Sequence, residues 1–400
     1  MTRWLTLIGI GEDGVEGLSA AAKRKLAEAE LVVGGKRHLA LAGEFRGEAL
    51  AWPSPLTEAF PRILALRGRP VVVLASGDPF HYGVGSTLLG HIPAAELSCL
   101  PAPSAFSLAA ARLGWAEQDC ALVSLHGRAL ERVVPHLQPG ARILALSWDG
   151  ETPAKLAALL VARGFGGSLL HVCEAMGGAR ERVTLSRADA FALERVEALN
   201  TIGVEVAAGT DARVVTLASG LADDMFEHDG QITKRDIRAM TLAALAPRQG
   251  EMLWDVGAGS GSIGIEWMLR HPKNRAVAVE ARADRAARIA RNAAALGVPE
   301  LAVVEGKAPD ALAGLPPPDA VFIGGGAEDA VLDAAWQALR RGGRIVVNAV
   351  TTGTQALLIH RHAAQGGELT LMQISEAAPL GGREAFRPAM PVMRWSAAKP

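Results

Sequence analysis

The sequence predicts an α/β protein of two domains, and three observations support this. Four hundred residues are more than one hydrophobic core holds. Short apolar runs that end in small, polar turns alternate with stretches of helical periodicity along the chain. Two of those turns, near Gly77 and Gly257, have the composition of strand ends that hold ligands. The predicted domains are 1–206 and 231–400. Between them, 207–230 loses the regular pattern, carries Gly209, Gly220 and Gly230, is acidic, and is expected to be a linker.

In the first domain, Leu5–Ile10 is an apolar strand. Gly9, Gly11 and Gly14 spell Gly-x-Gly-x-x-Gly, but the next strand, Leu31–Val33, ends in Gly34-Gly35-Lys36 where a ribose-binding acid belongs. A dinucleotide site is therefore rejected in favour of a backbone turn. Gly34–Arg37 is not a P-loop either, because it lacks the leading glycine and the hydroxyl residue after lysine. Val71–Ala75 is a run of consecutive apolar residues, as expected of a central strand covered on both faces. It ends in Ser76-Gly77-Asp78-Pro79-Phe80, which reads either as a ligand loop or as a structural turn. Pro103-Ser104 precedes a helix, Phe106–Leu113, with Ser104 suited to cap it. Val123–Arg128 is another strand followed by a small polar turn. Arg142–Trp148 reads as a strand and Lys155–Phe165 as a helix.

In the second domain, Thr233 is expected to cap a helix reaching Leu245, with Asp236 completing a capping box. Leu253–Val256 is a buried strand, followed by Gly257, Gly259 and Gly261 and then a helical pattern from Ile263. Asp255 stands just before the glycines, where a carboxylate repels a pyrophosphate and attracts an ammonium. Adenosylmethionine carries an ammonium and no phosphate. Glu280, closing the strand Ala276–Val279, is suited to two ribose hydroxyls, although dinucleotide folds share such an acid. A NAD site and an empty, degenerate one are the alternatives. The helix from Asp284 carries Arg282, Arg285, Arg288 and Arg291, read as a mostly solvated face. After Leu301–Val304, small residues around Ala308 leave room for an adenine ring. Asp319–Ile323 ends in Gly324-Gly325-Gly326, not in the Asn/Asp-Pro-Pro-aromatic that grips planar amines. Arg344–Val347 and Val392–Trp395 are the last strands.

Composition excludes several classes. Net charge is −1, with +4 over 231–400 but no basic run, which falls short of a nucleic-acid footprint and suits a small polyanion. Cys99, Cys120 and Cys173 form no Cys-x-x-Cys pair, and the histidines form no His-Glu-x-x-His, so no metal is expected. No run is long and apolar enough for a membrane span, and no signal peptide opens the chain, so a cytoplasmic protein without a membrane partner is expected.

The class I adenosylmethionine-dependent methyltransferases, which are Rossmann-like, share the pattern of Asp255, three alternating glycines and Glu280. The first domain resembles the tetrapyrrole methylases that act on cobalt-corrin precursors. The resemblance rests on Gly9–Gly14, Ala29–Gly35, Ser76–Phe80, Pro103-Ser104, Ser124–Gly127 and Glu174–Glu181. It implies two α/β subdomains with adenosylmethionine in their cleft, held at Gly77, Asp78, Pro79 and Ser104. The first turn reads Gly-Ile-Gly-Glu-Asp-Gly and departs from the commoner Gly-x-Gly-Pro-Gly. In the second domain, Ile232–Arg238, Asp255–Gly261, Gly306–Leu312 and Ile323–Gly326 resemble the decarboxylating corrin-precursor methyltransferases. That similarity implies a second adenosylmethionine site at Thr233, Asp255, Gly257, Gly259, Gly261, Glu280 and Ala308. In this order the two resemble the bifunctional methyltransferases of cobalamin synthesis. The resemblance implies methylation of a tetrapyrrole, precorrin-6B, at C-5 by the first domain. It implies methylation at C-15, with loss of carbon dioxide from the C-12 acetate, by the second, giving precorrin-8X. Lys234, Arg383 and Arg387 are candidates for the substrate carboxylates, no proton donor is assigned, and a homo-oligomer is expected. A nucleic-acid methyltransferase and a cofactor-binding scaffold are the competing classes.

Overall fold

The computed structural model describes residues 3–400, and the chain divides into two compact units. The first comprises residues up to Leu130 together with Gln138–Ala212; the second comprises Glu131–Leu137 and Arg213–Pro400.

The first unit contains two sheets. Strands β1 (Leu5–Ile10), β2 (Leu31–Gly34), β3 (Glu48–Ala51), β4 (Val71–Ser76) and β5 (Leu97–Leu100) form a wholly parallel sheet in the order β3-β2-β4-β1-β5. Every residue of β1 and β2 is buried, and so is β4 up to Ala75. Their unbroken apolar runs are what a sheet covered on both faces requires. One face packs on Phe60, Ile63 and Leu88, the other on Leu18, Leu26 and Ala42. The second sheet contains β6 (Cys120–Ser124), β7 (Arg142–Leu146), β8 (Leu169–Glu174), β9 (Arg182–Arg187) and β10 (Asn200–Glu205). Its order is β6-β7-β10-β8-β9, with β10 antiparallel to both neighbours.

In the second unit, β11 (Met252–Val256), β12 (Arg275–Glu280), β13 (Ala302–Glu305), β14 (Ala320–Ile323) and β15 (Arg344–Ala349) run parallel. β16 (Glu368–Met372) and the antiparallel β19 (Val392–Ala398) complete the order β13-β12-β11-β14-β15-β19-β16. The order reverses between β11 and β14, which puts the ligand-binding crevice of such a sheet beyond Val256. β17 (Ser375–Leu380) and β18 (Arg383–Pro388) pair with each other, as an exposed hairpin in a sheet of their own.

The stretch 207–230 is divided between the units at Ala212. Within the second, Leu221 and Phe226 are buried, and the Gly220 and Leu221 N–H groups donate to Glu266 at 2.7 and 3.0 Å. No helix among the described residues is long and apolar enough to cross a membrane, and no cluster of His, Cys, Asp and Glu there has the grouping of a metal site.

Candidate active site

In the second unit, β11 delivers Asp255 to the floor of the glycine turn, where it is 1% exposed. Its Oδ2 accepts the Gly264 N–H at 2.9 Å, whereas Oδ1 is buried and without a partner among the described residues. Burial, reinforced by the nearby Glu280 charge, raises the carboxyl to about 7 despite that hydrogen bond. The hydroxyl of Ser260, within the turn, is a second buried polar atom lacking a partner among the described residues. Gly257 has φ +68°, and a Cβ there would lie 2.6 Å from the Gly325 carbonyl oxygen. Only glycine therefore lets the turn pass against the end of β14. The unpartnered carboxylate oxygen beside a turn without side chains fits an ammonium-bearing nucleoside such as adenosylmethionine, in both charge and space.

Glu280 closes β12, and its two oxygens accept the Gly259 and Arg282 N–H groups at 2.8 and 3.0 Å. Gly306 donates to the Glu280 carbonyl at 2.9 Å, which brings the third strand end, with half-buried Ala308, to the same rim. The structure thus unites Asp255, Gly257, Gly259, Gly261, Glu280 and the Ala308 loop. Gln231 overlies them: its carbonyl oxygen is 3.5 Å from a Cβ placed on Gly259.

Two local expectations are corrected here. Thr233 is not the helix cap: the helix spans Arg235–Leu245, Lys234 is the boundary residue, and no side chain caps it. Thr233 offers its carbonyl to Arg238, and no capping box with Asp236 is found among the described residues. The arginines from 282 to 291 are not all solvated. Arg285 and Arg288 side chains are 17% and 16% exposed and grip Asp229 at 2.9 and 3.4 Å. That pairing ties the segment before Gln231 to the helix Ala283–Ala295.

Beneath this segment lies a pair that sequence reasoning missed. Arg238 and Glu266 are both fully buried, with Nε and Oε1 2.6 Å apart. Arg238 also donates to Asp223 at 3.0 Å and to the Leu221 carbonyl, and lies over the Phe226 ring. Lys234 is exposed, 3.6 Å from Asp223, and Arg383 and Arg387 lie on the exposed hairpin, outside the seven-stranded sheet.

In the first unit, three strand ends converge. The Gly77 N–H donates to the Ile10 carbonyl at 3.3 Å, and the Ala102 N–H donates to the Gly77 carbonyl at 3.1 Å. A Cβ on Gly9 would lie 1.8 Å from the Gly77 oxygen, and one on Gly77, where φ is +54°, would lie 2.9 Å from the Ser104 Cα. Asp78 Oδ1 accepts the Phe80 N–H at 2.8 Å, and buried Pro79 receives the Gly85 N–H at 2.8 Å. Ser104 caps the helix Ala105–Leu113 by accepting from the Ser107 N–H at 3.1 Å. Gly77, Asp78, Pro79 and Ser104 thus form one continuous rim. Across it, Gly178 meets Glu12: a Cβ there would lie 2.7 Å from that of Glu12. Arg37, His38 and Ser76 also stand on this rim; the sequence places Ser76 in the Ser-Gly-Asp-Pro-Phe turn and Arg37 after Gly34-Gly35-Lys36, but nothing in it joins the three.

Comparison with known proteins agrees with this architecture. A family model for tetrapyrrole (corrin/porphyrin) methylases matches residues 4–192, and one for a precorrin methyltransferase domain matches 224–399. A precorrin-6Y C(5,15)-methyltransferase [decarboxylating] from Sinorhizobium sp. is 60% identical over 98% of this chain and 96% of its own length. A cobalt-precorrin-7 C(5)-methyltransferase from Salmonella typhimurium is 34% identical over 45% of this chain and 88% of its own. A probable cobalt-precorrin-6B C(15)-methyltransferase (decarboxylating) from Saccharolobus solfataricus is 34% identical over 34% of this chain and 71% of its own. With near-complete mutual coverage at that identity, the chain belongs to the precorrin-6Y C(5,15)-methyltransferase (decarboxylating) family.

Proposed function

We propose that this protein uses adenosylmethionine to methylate precorrin-6B at C-5 and C-15 and removes carbon dioxide from the C-12 acetate, giving precorrin-8X in cobalamin synthesis. The observation that carries the reading is the pairing of two unlike nucleotide turns on one chain: a rim at Gly77 and Ser104, and a glycine turn over Asp255. The proposal places one adenosylmethionine site in each unit. Gly77, Asp78, Pro79 and Ser104 serve the first; Thr233, Asp255, Gly257, Gly259, Gly261, Glu280 and Ala308 serve the second. C-5 methylation belongs to the first unit, and C-15 methylation with decarboxylation to the second. Separate relatives named for a C(5) and for a decarboxylating C(15) enzyme, each spanning less than half of this chain, support that division.

Adenosylmethionine, when bound, supplies an electrophilic sulfonium methyl. The protein's task is alignment, with an enamine-like meso carbon held about 3–3.5 Å from that methyl while water is kept out. At C-15, methylation leaves the adjoining ring electron-deficient, so it can take the pair of the C–C bond that breaks as carbon dioxide leaves the acetate. Lys234, Arg383 and Arg387 are proposed to hold peripheral carboxylates, for which arginine offers a two-pronged donor. The working protein is proposed to be a cytoplasmic homo-oligomer that binds neither nucleic acid nor membrane.

The test keeps the chain whole, because Gly220 and Leu221 donate to Glu266 and a cut at residue 231 removes those bonds. Products of Gly77→Val and Gly257→Val are compared by mass and by methyl position. Gly77→Val should add one methyl, at C-15, and release carbon dioxide; Gly257→Val should add one methyl, at C-5, and release none. The opposite pairing overturns the division of labour.

A further inference from the structure

The carboxyl ends of β2, β4 and β1 bring together three side chains that the proposed function leaves unused. Ser76 closes β4 immediately before Gly77, and its side chain is exposed on the rim. His38, on the helix Lys36–Leu41 that follows β2, lies with Nε2 2.8 Å from the Ser76 hydroxyl. Arg37 donates to the same hydroxyl at 3.0 Å, approaches His38 Nε2 at 3.1 Å, and pairs with Glu12 after β1. Because arginine can only donate, its contact with Nε2 favours the tautomer whose Nε2 accepts. The single lone pair of that nitrogen then faces both the Arg37 N–H and, at the shorter 2.8 Å, the Ser76 hydroxyl, which can donate to it, while Nδ1 carries the ring hydrogen in a buried position without a partner among the described residues. Burial and the adjacent Arg37 charge lower the imidazole to about 4, so it stands neutral near pH 7.

Methylation of a meso carbon creates a need for such a group. The carbon carries one hydrogen. Its electron pair forms the new C–CH3 bond as the S–CH3 bond breaks, and the ring is left as an iminium with both hydrogen and methyl on that carbon. Conjugation returns only when the hydrogen leaves as a proton and its bonding pair re-enters the ring. Flanked by an iminium, that hydrogen is acidic, so a weak base suffices.

We infer that Ser76 and His38 form a proton relay for C-5 methylation: the Ser76 oxygen takes the meso proton while its own proton passes to His38 Nε2, with Arg37 holding the pair in register. This rests on assigning C-5 to the first unit.

The test uses the full chain, with Ser76→Ala, His38→Gln and the Gly77→Val control, and substrate carrying hydrogen or deuterium at C-5. Calorimetry with adenosylhomocysteine and with substrate reports whether each variant still binds, independently of turnover. The nitrogen resonances of His38 report its tautomer and its bond to Ser76. The expected result for His38→Gln and Ser76→Ala is unchanged binding, a C-5 methylation rate lower by roughly 10²-fold or more, and a primary deuterium effect larger than in the parent protein. Intact binding with parental rate and parental isotope effect overturns the relay. Loss of binding in both variants overturns it too, by making the cluster a support for the rim. If Gly77→Val still methylates C-5, the assignment of C-5 to this unit has failed; if it does not, and His38→Gln does so at the parental rate, only the relay has failed.

Discussion

Cofactor binding in the second unit should expel a proton, and Asp255 sets the size of the effect. In the ligand-free fold its carboxyl titrates near 7 instead of 3.8, because burial penalises the charged form. That separation amounts to about 4 kcal/mol against ionisation. The sign follows from linkage. A raised carboxyl binds its proton more tightly in the folded than in the unfolded chain, so stability declines as pH rises between about 4 and 7, and the full penalty applies above that range. An ammonium reaching the unpartnered Oδ1 favours the ionised form and pulls the value back down. At pH 6 the free site is mostly protonated, and binding should release about 0.9 proton, falling to about 0.1 at pH 8. Calorimetric titration with adenosylhomocysteine at each pH, in buffers of different ionisation enthalpy, measures this directly. Asp255→Asn should remove the release and weaken binding, while raising the ligand-free unfolding temperature of the second unit at pH 8. Equal proton release from the parent and Asp255→Asn, or none from the parent at pH 6, would refute the role given to this carboxylate.

Two further outcomes follow from buried geometry. Arg238→Met leaves the Glu266 carboxylate fully buried with only the Gly220 and Leu221 N–H groups, at a cost of about 3–5 kcal/mol. In scanning calorimetry the midpoint of the second unit should fall by on the order of 10 °C, and Arg238→Met with Glu266→Met should recover part of it. A midpoint unchanged by Arg238→Met contradicts the buried pair. Gly257→Ala combines φ +68° with a Cβ 2.6 Å from the Gly325 oxygen. It should cost about 1–3 kcal/mol and abolish adenosylhomocysteine binding in the second unit while binding in the first persists, as counted by calorimetric stoichiometry.

What was legible in the sequence divides along a physical line. Local steric and charge requirements leave marks at short range. The glycines at 77 and 257 stand where φ is positive and the backbone of another strand end passes close by, and Asp255 announces itself as an acid at the end of an apolar strand. Strand existence was equally plain: the run at Leu5–Ile10 appears with those bounds, since complete burial demands an unbroken apolar stretch. Thr233 shows where local pattern misleads. A hydroxyl residue followed three positions later by an acid suits a cap, yet buried Arg238 captures the Thr233 carbonyl and the helix begins beyond Lys234. Arg238 is already paired with Glu266 and Asp223, and the carbonyls it gathers complete the hydrogen bonding of a buried guanidinium, whereas the missing cap costs about 1 kcal/mol.

The same reasoning explains why the linker expected at 207–230 left no sign of its attachments. Its partners include Glu266, Asn292, Arg285 and Arg288, all far along the chain; the last two read as solvated because their acid, Asp229, lies outside any local window. The meeting of Ser76, His38 and Arg37 is hidden for that reason too: Ser76 belongs to a turn that the sequence marks, but only parallel strand order brings β2 beside β4 and β4 beside β1. In a doubly covered parallel sheet, the residues that meet at the carboxyl ends come from loops tens of residues apart. Their chemistry therefore becomes visible only once strand order is known, whereas the backbone turn that seats the cofactor lies within a few consecutive residues and can be read directly.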